Sequence, residues 1–287
     1  MVTKIERLGV IGGGQMGGGI AEVGARAGLD VIVCEVSDEA ARAGRTRLWK
    51  SLNHAVQKGK LTEAERDAAQ ARLHFTTTLA DLDDRNMVIE AIAEDEELKT
   101  KLFAELDKVV SDPDAILASN TSSIPIAKLA SATKRPQQVL GVHFFNPVPV
   151  LKLVELVPSL LTSEETVERA AAFATEQLGK ETIRAKDRSG FVVNALLVPY
   201  LLSAIRMVEG GFASAEDVDK GMVLGCAHPM GPLRLSDLVG LDTLKAIADS
   251  MHEEYGDPNF IAPPLLRRMV EAGLKGKKSG KGFYDYS

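Results

Sequence analysis

IERLGVIGGGQMGGGIAEVGARAGLDVIVCE, residues 5–35, is the stretch from which the rest of the chain can be read. An apolar run over residues 5–11 ends in Gly12-Gly13-Gly14. A helix-compatible segment follows over 16–27, and a second apolar run, Asp30–Cys34, closes on Glu35. This pattern predicts a β-turn-α-β unit of roughly thirty residues. Gly12-x-Gly14-x-x-Gly17 falls between the first strand and the helix. Its first glycine allows the tight turn, the second lets backbone approach a pyrophosphate, and the third lets helix and strand pack closely. N–H groups at the helix start, from Gln15 and Met16 onward, then receive the phosphate charge. A glycine-rich turn alone is a weak signal. With the strand, the helix and an acid about twenty residues on all in register, it reads as a dinucleotide site. Glu35 can accept hydrogen bonds from the adenosine ribose hydroxyls, and its charge repels a 2′-phosphate. No arginine follows at Val36 or Ser37, so NAD is expected rather than NADP. Gly18 and Gly19 each cost a helix about 1 kcal/mol against alanine, which suits a place where a ligand or another backbone comes close.

Outward from this unit, Ser37-Asp38 caps a polar helix running to about Lys58, with Trp49 and Leu52 on its apolar side. Residues 60–72 form another charged helix. Strand-like runs recur at 87–91 and 115–119 with a helix over 96–110 between them, and a helix over 164–178 precedes a last strand at 181–185. The alternation predicts an α/β fold, a Rossmann-type, doubly wound, mostly parallel sheet. After Lys186 the texture changes: residues 191–208, 215–224, 242–255 and 265–272 are helical candidates without strands between them. Lys186-Asp187-Arg188-Ser189-Gly190 is therefore the expected boundary, with an NAD-binding domain over 1–186 and an all-α domain over 187–287. The segment 191–208 is apolar nearly all round, which predicts burial beyond its own small domain and hence a subunit interface.

The chemistry is expected in VLGVHFFNPVPVLKLVEL, residues 139–156. Two runs rich in β-branched residues flank Asn146-Pro147-Val148-Pro149, and prolines favour a turn over a central ladder. If the flanks pair antiparallel about a centre near Pro149, His143 and Glu155 lie opposite each other. Directly opposed Cβ atoms are about 4.5–5.5 Å apart, so the carboxylate could reach the imidazole. An imidazole held in this way has a fixed tautomer and raised basicity, which suits a proton acceptor. A satisfied core histidine beside a glutamate fits the same residues.

Two domains are the default for 287 residues. A net charge of −6 argues against a general nucleic-acid binder. Residues 1–7 carry charges and lack a signal-peptide pattern. The longest uncharged segment, 191–205, is too short to span a bilayer and contains Asn194 and Pro199. Cys34 and Cys226 have neither CxxC spacing nor a histidine cluster, so neither zinc nor a disulfide framework is expected. A soluble protein of the reducing cytoplasm is the expectation.

With these pieces in place, the chain resembles the L-3-hydroxyacyl-CoA dehydrogenase family, most of all its short, stand-alone members. The resemblance covers nearly the whole length. It rests on GVIGGGQMGGGIA (9–21), VIEAIAED (88–95), ASNTSS (118–123), GVHFFNPVPVLKLVEL (141–156), DRSGFVVN (187–194), HPMGPLRLSDLVGLD (228–242) and GKKSGKGFYDY (276–286). It implies an NAD-dependent dehydrogenase with His143 as catalytic base and Glu155 as its orienting partner. It places Ser122 and Asn194 at an acyl-CoA thioester substrate and Asn146 near the nicotinamide. Glu94 and Lys99 are implied to line the cofactor, Lys278 to approach it from the C-terminal tail, and Ser51 and Lys58 to contact the CoA moiety. The apolar segment 191–208 leads further to the expectation of a homodimer through the C-terminal helices. The residues alone leave other readings open. Ser122 could serve an ST-turn, Glu94 the solvated first turn of a helix, and Lys278 a solvated tail. Asn194, inside an apolar helix, needs a partner of some kind. A dehydrogenase of a free hydroxy or sugar acid, or a non-catalytic NAD-binding protein, would use the same fold.

Overall fold

The computed structural model describes residues 4–287, which divide into two compact units, the first ending at Asp187 and the second running over Arg188–Ser287. The first is built around eight strands: β1 (Arg7–Ile11), β2 (Asp30–Cys34), β3 (Leu73–Thr76), β4 (Met87–Glu90), β5 (Ile116–Ser119), β6 (Val139–Phe144), β7 (Leu153–Pro158) and β8 (Glu181–Arg184). They form one sheet in the order β3-β2-β1-β4-β5-β6-β7-β8. The run from β3 to β6 is parallel; β7 is antiparallel to β6, and β8 parallel to β7. The parallel six have the order of a doubly wound dinucleotide-binding sheet, in which the strand order reverses between β1 and β4. Strands covered on both faces read as continuous apolar runs, and all residues of β4, β5 and β6 are buried.

The helices of this unit are α1 (Gln15–Arg26), α2 (Asp38–Gln57), α3 (Glu63–Ala71), α4 (Glu96–Val109), α5 (Ile126–Ser131) and α6 (Glu164–Ala172). Their starts follow local chemistry. The side chains of Ser37, Thr62, Asp95 and Ser163 each accept an N–H from the first turn, Thr62 within a full capping box with Glu65. Sequence periodicity did not show β3, a four-residue edge strand with only Leu73 buried, or the six-residue α5. Short elements carry too few periods to register.

The second unit is all helix: α7 (Val193–Glu209), α8 (Ala215–Cys226), α9 (Pro232–Val239), α10 (Leu241–Tyr255) and α11 (Pro264–Glu271). Val198, Leu201, Leu202 and Ile205 of α7 are buried in a core with Leu233, Leu244, Met251 and Phe260. The helix is therefore not buried all round within its own unit. One face fills the unit's core, and Leu196 and Met207 remain exposed. Among the described residues no helix is long and apolar enough to cross a membrane, and no three His, Cys, Asp or Glu side chains are grouped to hold a metal.

Candidate active site

The glycine turn has the geometry a bound pyrophosphate requires. Gly12 has φ +90°, and a Cβ there would meet the carbonyl oxygen of Ala91 at 2.8 Å. A Cβ on Gly17 would sit 1.8 Å from the carbonyl oxygen of Gly12, so helix and turn could not close. Gly14 is different: a Cβ there would meet nothing within 4 Å. It is the N-cap of α1, whose first turn has no acidic residue and no side-chain cap. Open space thus adjoins N–H groups at a helix start, where anions bind. Glu35 accepts the Gly13 N–H at 2.6 Å, which fixes its carboxylate beside the turn.

Two features of this corner were not legible along the sequence. Arg47, from α2, donates to the Gly13 carbonyl at 2.7 Å. Gly44 allows this approach, since a Cβ there would come within 3.2 Å of the same oxygen. A guanidinium therefore does stand near Glu35's turn, although it lies twelve positions beyond that residue and not at Val36 or Ser37. Gly19 faces Val148, whose Cβ would lie 2.8 Å from an added methyl. The cost of this helix glycine is thus tied to close packing of the β6–β7 loop.

That loop begins with a cis Asn146–Pro147 bond. Asn146 accepts a hydrogen bond from the Gln15 side chain at 3.0 Å, and buried Lys180 donates to the carbonyls of Val148 and Leu151 at 2.5 and 2.8 Å. Burial pulls the Lys180 ammonium below its usual pKa. Gln15, Gly18, Gly19, Arg47, Ser51 and Asn146 line a groove of 330 Å³. Lys58 is the exposed C-cap of α2 and lies outside that lining. Met16 turns its side chain onto the main core.

His143 and Glu155 are register partners across β6 and β7. Their side chains meet at 2.7 Å between Nδ1 and Oε2, with Glu155 fully buried and His143 nearly so. The Phe145 ring stands edge-on to the imidazole, centroids 4.6 Å apart. On the neighbouring strand, β5 ends at Ser119, and the loop 120–125 carries Ser122, which is half-buried. Asn120 ties that loop to the strand of His143: its Oδ1 accepts the Phe144 N–H at 2.8 Å.

Glu94 is the hub of this loop. It accepts the Thr121 hydroxyl, the N–H groups of Ser122 and Ser123 at 3.0 and 3.2 Å, and the Ser123 hydroxyl at 3.0 Å. Buried Lys99 donates to it at 2.6 Å. Burial raises the Glu94 pKa, but the Lys99 ammonium and the surrounding hydroxyl and amide donors outweigh it and hold the carboxyl below its ordinary range. The structure therefore makes Glu94 a bonded carboxylate rather than the solvated start of α4, a position that Asp95 takes as N-cap. Lys99 is equally engaged, with Glu90 3.1 Å on its other side.

Asn194 and Lys278 belong to the second unit. Asn194 is the second residue of α7, half-buried in its first turn rather than inside the helix. Lys278 pairs with Asp242 at 2.5 Å. The tail that carries it is pinned by Asp237, a buried carboxylate that accepts the N–H groups of Phe283 and Tyr284, each at 3.0 Å.

Residues 7–188 match the family model of the 3-hydroxyacyl-CoA dehydrogenase NAD binding domain, and residues 190–286 that of the 3-hydroxyacyl-CoA dehydrogenase C-terminal domain. The chain is 66% identical over 286 residues to a 3-hydroxybutyryl-CoA dehydrogenase from Mycobacterium tuberculosis, covering 100% of both chains. Its fold superposes on the crystal structure of M. tuberculosis FadB2 with a TM-score of 0.98, at 66% identity, over 99% of this chain and 100% of that one. An (S)-3-hydroxybutyryl-CoA dehydrogenase from Ralstonia eutropha is 44% identical with a TM-score of 0.92, again over 99% and 100%. With both of its units matched in order by the two domains, the chain belongs to the NAD-dependent 3-hydroxyacyl-CoA dehydrogenase family.

Proposed function

We propose that the chain interconverts (S)-3-hydroxyacyl-CoA and 3-oxoacyl-CoA thioesters, short chains preferred, with His143 as the proton-transferring base. The observation that carries this reading is the buried 2.7 Å contact between His143 Nδ1 and Glu155, in a chain matched at both units by the family. With Nδ1 engaged, Nε2 is the nitrogen that takes the substrate's hydroxyl proton. Glu155 then stabilises the imidazolium that forms, and water is excluded from the pair by burial. Ser122 supplies a donor where charge gathers on the substrate's C3 oxygen, and Asn194 is assigned to the substrate as well.

The N terminus of α1, the open face of Gly14 and Glu35 fit a dinucleotide. Gln15 and Met16 contribute main-chain N–H groups there, and Asn146, Glu94, Lys99 and Lys278 are assigned to the same ligand. Held by these residues, NAD would supply the hydride acceptor for C3 of the substrate. Ser51, in the groove beside Asn146, and Lys58, further along α2, are assigned to the CoA moiety. Arg45, Arg47 and Lys50 give that helix local positive charge despite an acidic total.

The deciding assay follows NADH oxidation with acetoacetyl-CoA, with longer 3-oxoacyl-CoAs and with free acetoacetate. Turnover of the C4 thioester, falling with chain length and absent for the free acid, is expected. Equal rates on free acetoacetate would assign the protein to the hydroxy-acid dehydrogenases. We also assign it to the cytoplasm, in keeping with two unpaired cysteines, and to a homodimer through the helical unit. Leu196, exposed at 74% on the apolar helix α7, supports the dimer, as a side chain that a partner would cover. Sedimentation giving a monomer mass would remove it.

A further inference from the structure

Glu90 ends β4, is fully buried, and has no part in the mechanism above. A carboxylate in such a place is costly unless its oxygens are paired. One oxygen accepts the Ile92 N–H at 2.7 Å and lies 3.1 Å from the Lys99 ammonium. The other accepts the hydroxyl of buried Ser119 at 2.6 Å. Followed outward, these contacts close into a ring. Lys99 donates to Glu94 at 2.6 Å, and Glu94 accepts the Thr121 hydroxyl. Thr121 donates its N–H to the Ser119 oxygen at 3.1 Å, and Ser119 returns to Glu90. The ring joins the loop after β4 to the loop after β5. Ser122 hangs from it, its N–H 3.0 Å from Glu94. The main chain adds a second tie, since the Asn120 N–H donates to the Glu90 carbonyl at 2.8 Å.

We propose that Glu90 is a positioning residue for the dehydrogenase reaction: acting through Lys99 and Ser119, it fixes the Glu94 carboxylate and thereby holds Ser122 where the substrate's C3 oxygen is bound. This rests on the assignment of Ser122 to the substrate. Glutamine at 90 keeps the volume and one acceptor but removes the charge that faces Lys99. Glu94 and Lys99 are also assigned to the dinucleotide, so NADH affinity can change too, and the dependence of the kcat loss on Ser122 is what marks the positioning role.

The test is a double-mutant cycle of Glu90→Gln and Ser122→Ala, with kcat and both KM values measured on acetoacetyl-CoA and NADH. In the wild-type background Glu90→Gln lowers kcat about tenfold, whatever the accompanying change in KM for NADH. In the Ser122→Ala background the same change costs less than about twofold, because groups acting as one unit are not additive. Ser119→Ala, on the opposite limb of the ring, shows the same pattern and carries the test if Glu90→Gln does not fold. An equal factor in both backgrounds overturns the proposal and leaves the role of Ser122 standing. A raised KM for NADH at unchanged kcat overturns it as well. Wild-type kcat in Ser122→Ala alone overturns the assignment of Ser122, and the role of Glu90 falls with it.

Discussion

The His143–Glu155 pair and the Ser122 loop lie at the carboxyl ends of adjacent parallel strands, β6 and β5, where ligands bind in doubly wound sheets. They are held there by different means. His143 and Glu155 face each other because the antiparallel register of β6 and β7 puts them there, and many ladder bonds share in fixing that register. Ser122 has no ladder to hold it. Its position depends on a few side-chain bonds to Glu94, which in turn depends on Lys99 and Glu90. Substitutions in the pair should therefore abolish chemistry and leave geometry intact, whereas substitutions around the loop should blur geometry.

The largest effect is expected at the pair itself. His143→Gln keeps a hydrogen-bonding side chain but not a titrating base, and kcat should fall by about 10³-fold or more with NADH affinity unchanged. More than a few per cent residual kcat would remove the proposed base. Glu155→Gln leaves the register in place and removes the charge that favours the imidazolium. A loss of about 10²-fold in kcat, with near-wild-type Tm, would show the strand-held pair to be separable into scaffold and chemistry. A collapse in Tm would instead show that the buried contact also holds the sheet edge.

The same contrast decided what could be read from the sequence. The pairing of His143 with Glu155 was legible because strand periodicity and a proline-marked turn together define a mirror centre. The glycine turn was legible for a similar reason, since each glycine answers to one backbone constraint. Glu94 was not, because a run of acids before a helix looks the same whether one of them bends back into the neighbouring loop or all face water. Lys99 and Lys180 read as ordinary helical and strand-end lysines, and only tertiary packing buries their ammonium groups against carboxylates and carbonyls. Arg47 was hidden by distance along the chain, and the Gly13–Gly44 approach that brings it in has no local signature. Backbone-encoded positions can be read from spacing. Positions set by side-chain networks need the fold first.

Glu35 falls between the two cases, a side chain placed by a strand end and held by one N–H of the turn. Glu35→Ala should narrow the preference for NAD over NADP by about tenfold in kcat/KM, roughly the 1.5 kcal/mol of a hydrogen bond to a charged group. Arg47 makes this test sharper, since a guanidinium at the same turn can serve a 2′-phosphate once the glutamate is gone. Equal kcat/KM for NADH and NADPH in the wild type would show that Glu35 does not select.

The smallest effect isolates the charge that holds the loop. The pKa of Glu94 is lowered from 4.5 in the folded protein, so the folded state binds this proton less readily than the unfolded chain. Its stabilising contribution is complete above about pH 4.5 and is lost as pH falls through the lowered value. Glu94→Gln retains an acceptor for Thr121, Ser122 and Ser123 but offers Lys99 no charge. Because the carboxylate is partly exposed, at 37%, screening keeps the difference below about 1 kcal/mol, or under about 3 °C in Tm. The gap between wild type and variant should be constant from pH 7 to 5 and should close on further acidification. Glu90, whose pKa burial pushes the opposite way, is present in both proteins and does not reverse the sign. A gap that did not change with pH would mean that the loop is held by hydrogen bonds alone and that the charge of Lys99 serves Glu90 rather than Ser122, and a gap that widened in acid would mean that the fold raises the Glu94 pKa instead of lowering it.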